Sequence, residues 1–419
     1  MLKNRHIPFL KAVFIYSLTA FGGPQGHLGM MQKVFVDKRN DISAKQLLDL
    51  NAFCQLLPGA SSTQIITLIG YNRGGFSLAL ITLLIWIFPA CFFMGVLSFF
   101  ADETFGGIST QSLFRFIQPM AIGFLTYAAV RAFRSTIKSK ADRIILFFAL
   151  LVCSLFFKTP WIFPLVIILG GITSILTANR ERIQDNYLPR KIKWGNIYLF
   201  LGIFLVSGFL SEMSRKQEWQ NRKPYNLFEN SYRFGSIVFG GGDVLISLMY
   251  EQYVARPTSK RVKEKNQNVL RIDRDDFLTG AGIVRGIPGP VFSIASYTGG
   301  LVMRKEGKLM QVFGAILSTV AIFLPSFLLV VFFYPVWNNL HKHEIVHRAL
   351  RGINASVVGI MISSVLYLTK DSSVIGSTEA QTHSLLTIGI ITGTFLLLVY
   401  SKLPTPFIVL ICLLLGWFF

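Results

Sequence analysis

Apolar residues along this chain form long runs separated by short polar stretches. Runs such as 76–100 and 308–334 exceed the roughly 20 residues that a helix needs to cross a membrane. A shorter run such as 144–157 rises only about 21 Å as a helix, so its spanning status stays open. The pattern predicts an all-α polytopic membrane protein with about thirteen apolar segments. They lie near residues 8–23, 47–70, 76–100, 113–134, 144–157, 161–178, 195–210, 232–250, 277–302, 308–334, 347–369, 384–400 and 403–419.

Composition supports this class of protein. Of the 419 residues, 52% are hydrophobic and 15% are charged, whereas soluble domains carry about 25% charged residues. This composition excludes a soluble enzyme, a nucleic-acid-binding protein, a disulfide scaffold and a disordered chain. The four cysteines lie singly in apolar segments, and the chain has no Walker motif and no soluble-enzyme motif. We therefore expect no catalytic residues, no metal site and no cofactor.

The positive charge of the chain predicts its orientation in the membrane. The 41 Lys and Arg against 21 Asp and Glu give a net charge of +20, and cytoplasmic loops are enriched in Lys and Arg. With the N-terminus inside, loops 131–143, 179–193 and 253–275 are cytoplasmic, and all three are basic. Loops 25–46 and 211–230 are exceptions, because they are predicted outside and are also basic. We expect a multi-pass protein of the plasma membrane with a cytoplasmic N-terminus.

Three short motifs occur twice in the same order. FGGP at 21–24 returns as FGGG at 239–242, LPGA at 57–60 as IPGP at 287–290, and IFPA at 87–90 as FLPS at 323–326. If the first copy crosses the membrane seven times, the second copy enters it in the opposite sense. Such inverted repeats are common in secondary transporters. We predict a first transporter repeat at 1–193, a linking transmembrane segment and loop at 194–230, and a second, inverted repeat at 231–419.

The repeated Gly and Pro residues predict broken or re-entrant helices. Irregular backbone survives in hydrocarbon only where it lines a cavity or is buried in protein. A Pro-Gly pair followed by hydroxyl residues predicts the start of a half-helix, which those hydroxyls can cap and whose N–H groups attract anions. The alternative is a simple kink, but repetition at corresponding positions favours a binding site. The candidate substrate-binding residues are Gly22, Gly23, Pro24, Pro58, Gly59, Ser61, Ser62 and Thr63, with Gly240, Gly241, Gly242, Pro288, Gly289, Pro290 and Ser293.

Three ionisable residues lie beside these motifs. Arg285 precedes Pro288 in an apolar stretch, and Asp243 follows the three glycines. Because a charge at mid-membrane costs at least about 2.5–3.5 kcal/mol, Arg285 either contacts an anion or pairs with Asp243. His27 either carries a proton or contacts an oxyanion, or it caps a helix end or lies at the membrane interface.

Several segments together resemble the chromate ion transporter family, in its long two-domain form. They are FGGPQGHLG at 21–29, CQLLPG at 54–59, FGGG at 239–242, PGPVF at 288–292, FLPSFL at 323–328 and RGINASVVG at 351–359. The resemblance covers nearly the whole chain and implies export of chromate, a tetrahedral dianion, with resistance to it. It implies that the site residues are Gly22, Gly23, Pro24, His27, Gln55, Pro58, Gly59 and Ser62, and Gly240, Gly241, Gly242, Pro288, Gly289, Pro290 and Phe292.

The chain departs from the family pattern at three positions. The resemblance implies a proline where Ala60 stands, a histidine where Asp243 stands and a glutamine where Arg285 stands. The last two departures introduce opposite charges, which either compensate each other or alter specificity.

The expected function is a secondary carrier that exports chromate or a related oxyanion, driven by membrane potential, protons or both. A sulfate carrier and an anion channel are the alternatives, and a purely structural or lipid-binding membrane protein is the fallback. The expected partners are the oxyanion, protons, the lipid bilayer and a second copy in a homodimer, with no nucleic acid.

Overall fold

A computed structural model describes most of the chain and is almost entirely helical. The described residues are 6–21, 23–55, 57–101, 104–105, 108–109, 115–157, 162–177, 194–239, 242–259, 262, 269–336, 344–371, 380–401 and 403–418. In chain order the α-helices are α1 (Ile7–Thr19), α2 (Gly23–Met31), α3 (Ala44–Gln55), α4 (Ser61–Leu97), α5 (Ile117–Thr136), α6 (Lys140–Leu155), α7 (Ile162–Thr177), α8 (Gly195–Lys216), α9 (Arg222–Ile237), α10 (Gly242–Tyr250), α11 (Arg274–Ile283), α12 (Ile294–Met303), α13 (Lys308–Phe333), α14 (Glu344–Asp371), α15 (Ala380–Tyr400) and α16 (Thr405–Phe418). The prediction of an all-α protein is confirmed.

Short irregular elements accompany these helices. Two π-helical segments directly follow α2 and α10, at Gln32–Lys38 and Glu251–Ala255. The 3₁₀ turns are Ser98–Phe100, Arg256–Thr258, Val291–Ser293, Arg304–Glu306 and Tyr334–Val336. Within the described part of the chain, strands are limited to the two-residue antiparallel pair β1 (Thr104–Phe105) and β2 (Ile108–Ser109).

The chain folds into two compact units, and each unit takes segments from both sequence repeats. The first unit comprises Met1–Phe99, Gln184–Gly242 and Ile287–Lys342. The second unit comprises Phe100–Ile183, Asp243–Gly286 and His343–Phe419. The predicted boundaries at 193 and 230 therefore separate sequence repeats and not compact units, and the assignment of the repeats stays a prediction.

Four predicted apolar segments are interrupted at the Gly/Pro motifs. In segment 8–23, α1 ends at Thr19 and α2 begins at Gly23. Segment 47–70 is divided between α3 and α4. Segments 232–250 and 277–302 are divided in the same way. Helix α4 is also bent, because Gly74 and Gly75 have non-helical dihedral angles. The predicted breaks are confirmed at all four places.

Four helices in the described residues are long and apolar enough to cross a membrane, judged by length and composition. They are Ser61–Phe100, Gly195–Lys216, Lys308–Phe333 and Arg348–Lys370. Shorter apolar helices accompany them, at Ile7–Thr19, Leu165–Thr177, Leu386–Tyr400 and Thr405–Trp417. The count of thirteen segments and the inverted orientation of the repeats stay predictions.

Small residues allow close helix packing in the first unit. Gly299 of α12 and Gly314 of α13 face each other so closely that a side chain on either would collide with the other's carbonyl. Polar side chains add hydrogen bonds, since Gln311 donates to the carbonyl oxygen of Ser98 at 2.9 Å. Such packing is typical of helices in membranes, where apolar burial alone does not drive association.

In the second unit, α14 packs against α6 and α7. Gly352 of α14 and Gly170 of α7 meet backbone to backbone. The buried Asp142 accepts two hydrogen bonds from Arg351 at 3.0 and 3.2 Å. The same carboxylate closes a capping box with Ser139 at the start of α6. One carboxylate thus ties the beginning of α6 to α14.

Candidate functional site

The glycines of the two Pro-Gly loops have nearly the same φ angle. Gly59 has φ +113° and Gly289 has φ +115°, a region that L side chains rarely adopt. A helix begins two residues after each glycine, with α4 at Ser61 and a 3₁₀ turn at Val291 that leads into α12. The prediction that a helix starts at both motifs is confirmed, whereas the half-helix itself stays a prediction. The predicted hydroxyl capping is wrong, because the N-cap positions are Ala60 and Pro290 and neither supplies a side-chain hydrogen bond.

Each Pro-Gly loop is hydrogen-bonded to the other repeat, and the two bonds are equivalent. The N–H of Gly59 donates to the carbonyl of Val238 at 2.7 Å, and the N–H of Gly289 donates to the carbonyl of Ala20 at 3.0 Å. Val238 and Ala20 each directly precede a Phe-Gly-Gly motif. Contacts that pair the same positions in both directions indicate a two-fold relation between the motifs.

A second pair of contacts follows the same rule. A side chain at Gly59 would collide with Ser326 Oγ, and a Cβ at Gly289 would lie 2.8 Å from that of Ala90. Ser326 and Ala90 occupy corresponding positions after the proline of the third repeated motif. All three repeated motifs therefore meet in the first unit.

A buried network of hydrogen-bonded polar side chains connects α1, α2 and α4. His27 is buried, and its Nδ1 lies 3.0 Å from Ser62 Oγ. The hydroxyl of Tyr16 donates to the carbonyl of His27 at 3.1 Å, and Trp86 Nε1 donates to Thr63 Oγ1 at 3.0 Å. His27 also has a hydrogen-bond contact with the backbone of Ala20, the C-cap residue of α1, so its interpretation as a helix cap stays open.

Aromatic rings pack against this polar network. The indole of Trp86 stacks on Tyr16 with 4.7 Å between ring centroids and meets the edge of His27 at 5.3 Å. Neither Tyr16 nor Trp86 was predicted from the sequence, since aromatic residues within apolar segments look like ordinary core. The repeated motif beginning directly after Trp86 was the available signal.

Several buried polar atoms in the first unit have no hydrogen-bond partner among the described residues. They are Gln64 Oε1, Ser293 Oγ and Ser326 Oγ. Gln64 and Ser326 both adjoin Gly59, and Gln64 Nε2 donates to the carbonyl of Pro58 at 2.8 Å. Because buried polar groups are nearly always hydrogen-bonded, these atoms offer capacity for a polar ligand.

The residues of this polar network all belong to the first repeat. Counting without gaps from the repeated motifs, Leu245 corresponds to His27 and Phe292 to Ser62. Phe234 and Ile322 likewise replace Tyr16 and Trp86. The loops are thus symmetric in backbone and asymmetric in side-chain chemistry.

Comparison with known proteins agrees with the repeated architecture. The family model described as chromate transporter matches residues 7–175 and 225–417, which cover both repeats. The chain belongs to the chromate transporter family. It is therefore a membrane transporter and not an enzyme.

Three relatives illustrate the similarity. A probable chromate transport protein of Synechococcus elongatus is 22% identical, over 95% of this chain and 92% of its own length. A chromate transport protein of Cupriavidus metallidurans is 24% identical over 94% and 88%. An uncharacterized transporter of Methanocaldococcus jannaschii is 24% identical over 86% and 82%. No solved structure matches the chain significantly.

The structure describes only some of the remaining predicted site residues of this transporter. Gly22, Gly240 and Gly241 lie outside the described residues. Pro24 and Asp243 fall within α2 and α10, but their side chains are also outside the description. Gln55 is exposed at the end of α3, whereas Phe292 is buried with its ring 6.2 Å from that of Phe323. Of the others, Gly23 opens α2, Ser61 opens α4, Pro288 is partly buried, and Gly242 packs against Val291.

Arg285 belongs to the second unit of the transporter. It follows the end of α11, and its guanidinium lies over the ring of Phe124, 5.3 Å from the centroid. A cation over an aromatic face in a dry environment gains about 2 kcal/mol, which lowers the cost of burying the charge. The choice between an anion contact and a pair with Asp243 stays open.

Potential metal ligands do not cluster in the part of the transporter that the structure describes. No group of three or more His, Cys, Asp or Glu residues in that part could hold a metal ion. The four cysteines are free and buried.

Proposed function

We propose that this transporter is a secondary carrier of the plasma membrane that exports chromate or a related tetrahedral oxyanion by alternating access. The supporting observation is the pair of Pro-Gly loops, which start helices at Ser61 and Val291 and bond reciprocally to the other repeat. The names of the relatives from Synechococcus elongatus and Cupriavidus metallidurans indicate the substrate. The proposed orientation places the N-terminus in the cytoplasm.

The helix starts provide the chemistry for binding an anion. The first N–H groups of a helix have no partner within it, and the helix dipole favours negative charge there. The helix starts at Gly23, Ser61 and Val291 are in the first unit. The ring of His27 and the unpartnered hydroxyls of Ser293 and Ser326 add side-chain donors to which an oxyanion can bind. We propose these helix starts and donors as the binding site.

The repeat architecture supports alternating access. Inverted repeats bind their substrate where broken helices meet, and one part then moves against the other. Each repeat of this chain contributes one Pro-Gly loop and one Phe-Gly-Gly motif to the contacts described above. The inverted orientation of the repeats is part of this proposal, and so is a homodimeric assembly.

The membrane potential favours export. Moving one elementary charge through 100 mV involves about 2.3 kcal/mol, so a dianion that leaves an inside-negative cell gains about 4.6 kcal/mol. Uptake of the same ion would require coupled cations. Export therefore needs no proton gradient, although a gradient could add to the driving force.

Sulfate is a second candidate substrate. Sulfate and chromate have the same charge and shape, and the donors named above are backbone N–H groups and neutral polar side chains. Such donors recognise an oxyanion without distinguishing its central atom.

Flux measurements in inverted vesicles test the proposal. We expect uptake of chromate that is driven by an inside-positive potential and stimulated by chromate or sulfate on the opposite side. The pH gradient and the potential are imposed separately, so that proton coupling is measured independently. Sustained current without counter-exchange would indicate a channel, and no oxyanion flux under any gradient would overturn the transport proposal.

The role of Arg285 is tested by a two-residue comparison. If Arg285 contacts the substrate, Arg285→Gln should reduce transport at least about tenfold, the effect of losing about 1.4 kcal/mol. If it pairs with Asp243, Asp243→His should be equally harmful and the double variant should recover. Initial rates at matched expression distinguish the two outcomes, because a substrate contact gives no recovery in the double variant.

A further inference from the structure

Helix α8 is an apolar, membrane-length helix that the protein leaves largely uncovered. It lies outside the two ranges that match the family. Only 11% of its most apolar 18-residue stretch is buried, against 67% for α13. Most of the surface of α8 therefore faces the surroundings of the protein.

An apolar groove of about 800 Å³ runs between α8, α9 and α13. Its lining includes Tyr198, Gly202 and Val206 of α8, Phe228 of α9, and Phe313 and Leu317 of α13. The volume lies within the range of about 300–1,000 Å³ that is usual for small-molecule sites. An aliphatic and aromatic lining of this kind fits a hydrocarbon chain.

Aromatic residues at both ends of α8 place the groove at the depth of the lipid hydrocarbon. Trp194 and Tyr198 stack at its start, with 6.2 Å between ring centroids. Trp219 and Tyr225 meet edge to face at 5.5 Å just beyond its end. Trp and Tyr are enriched at the two membrane interfaces, and the 22 residues of α8 rise about 33 Å between them. Lipid is therefore the medium at this groove.

Basic residues gather at one end of the groove, beside Asn221 and Pro224. The segments 212–225 and 304–308 together contain seven basic residues and three acidic ones. Arg215 and Lys216 both pair with Glu212, at 2.7 and 3.5 Å, and Lys223 joins the segments through an ion pair with Glu306 at 2.5 Å. That hydrogen bond also holds the pKa of Glu306 below its ordinary value. The surplus of positive charge is complementary to a phosphate group.

We propose that an anionic phospholipid occupies this site, with an acyl chain in the groove and its phosphate at the basic residues of the α8–α9 turn. Those residues are Arg215, Lys216, Arg222 and Lys223. A second copy of the chain fits less well, because a two-fold interface would bring the same positive patches together. The site also accounts for the basic loop 211–230, an exception to the charge rule that the predicted topology places outside the cell.

Glycine substitutions on α8 test the acyl-chain part of the site. A Cβ at Gly202 meets no atom within 4 Å, so Gly202→Leu fits and fills the groove. Gly208→Leu is the matched control, because its Cβ is equally free and Gly208 does not line the groove. Native mass spectrometry of the full-length protein, exchanged into phosphatidylglycerol-containing micelles, should show one retained lipid. Gly202→Leu should lower its retention at least about tenfold, and Gly208→Leu should leave it unchanged.

Lipid competition on the wild-type protein and on one headgroup variant tests the headgroup part. We expect phosphatidylglycerol to displace phosphatidylcholine, and Arg222→Gln to reduce that preference about fivefold, since one basic residue near an anionic surface contributes about 1 kcal/mol. Equal binding of the two lipids by the wild type would overturn the proposal. Unchanged retention in Gly202→Leu would also overturn it, as would a lipid-free dimer that Gly202→Leu dissociates. Lipid retention is measured without any transport assay, so its result can be interpreted even if the transport proposal fails.

Discussion

Replacing Gly59 with alanine should reduce oxyanion transport at least tenfold. A non-glycine residue at φ +113° stores about 1–3 kcal/mol of backbone strain, and the new Cβ would also collide with Ser326 Oγ. Both effects push the loop away from Val238, whose carbonyl accepts the hydrogen bond of Gly59. The start of α4 would move with the loop, and a strain of 1.4 kcal/mol already corresponds to a tenfold change. Initial rates of chromate counterflow in proteoliposomes measure the loss.

A matched control separates the loop from a general sensitivity to added bulk. Gly29→Ala lies in α2, where a Cβ meets no atom within 4 Å, and it should transport normally. The double variant Gly59→Ala/Ser326→Gly removes the collision and keeps the backbone strain. Because the Ser326 hydroxyl is also a proposed donor, the double variant is compared with Ser326→Gly alone, and its lower transport relative to that variant measures the strain. Wild-type rates in Gly59→Ala would show that the loop geometry is not needed for transport.

Replacing His27 with leucine should have an effect of similar size, at least tenfold on transport. The second repeat already carries a leucine at the corresponding position, Leu245, so the side chain suits this type of helix. The substitution removes both ring nitrogens and leaves the Ser62 hydroxyl without its partner. An unsatisfied buried hydroxyl costs about 1–3 kcal/mol of stability.

A double variant distinguishes a transport role from a structural role of His27. His27→Leu/Ser62→Ala removes both partners, which can be nearly neutral for stability. Its thermal unfolding midpoint should therefore return toward that of the wild type, while transport stays low. If transport recovers together with stability, the histidine only supports the fold and does not act on the substrate.

The sequence predicted the backbone features of the site better than its side-chain contacts. Gly and Pro restrict or free their own dihedral angles, so the breaks near Gly59 and Gly289 are local and visible in a single motif. The pairing of His27 with Ser62 joins residues 35 positions apart, and no local pattern encodes it. The helix caps were predicted wrongly because the hydroxyl of Ser62, although close to the helix start, forms its hydrogen bond with the His27 ring instead.

For large aromatic residues, the sequence does not distinguish a place in the site from a place in the core. Trp86 and Tyr16 lie in segments that are apolar throughout, where a stacked pair in a site and a stacked pair in the core look alike. Their contacts around His27 depend on the packing of α1 against α4, which no local sequence pattern shows. Arg285 was visible as a charge in an apolar stretch, but its position over Phe124 depends on a helix far away in sequence.

The interleaved units constrain the order in which this transporter can fold during synthesis. The first unit requires residues up to Lys342, and the second requires the chain up to Phe419. When the ribosome has completed the first repeat, the N–H of Gly59 still lacks its acceptor, Val238, and the carbonyl of Ala20 still awaits Gly289. The early helices therefore enter the membrane before these backbone groups have their partners. Termination of the chain before Lys342 would leave neither unit complete, and termination after it would leave the second unit incomplete.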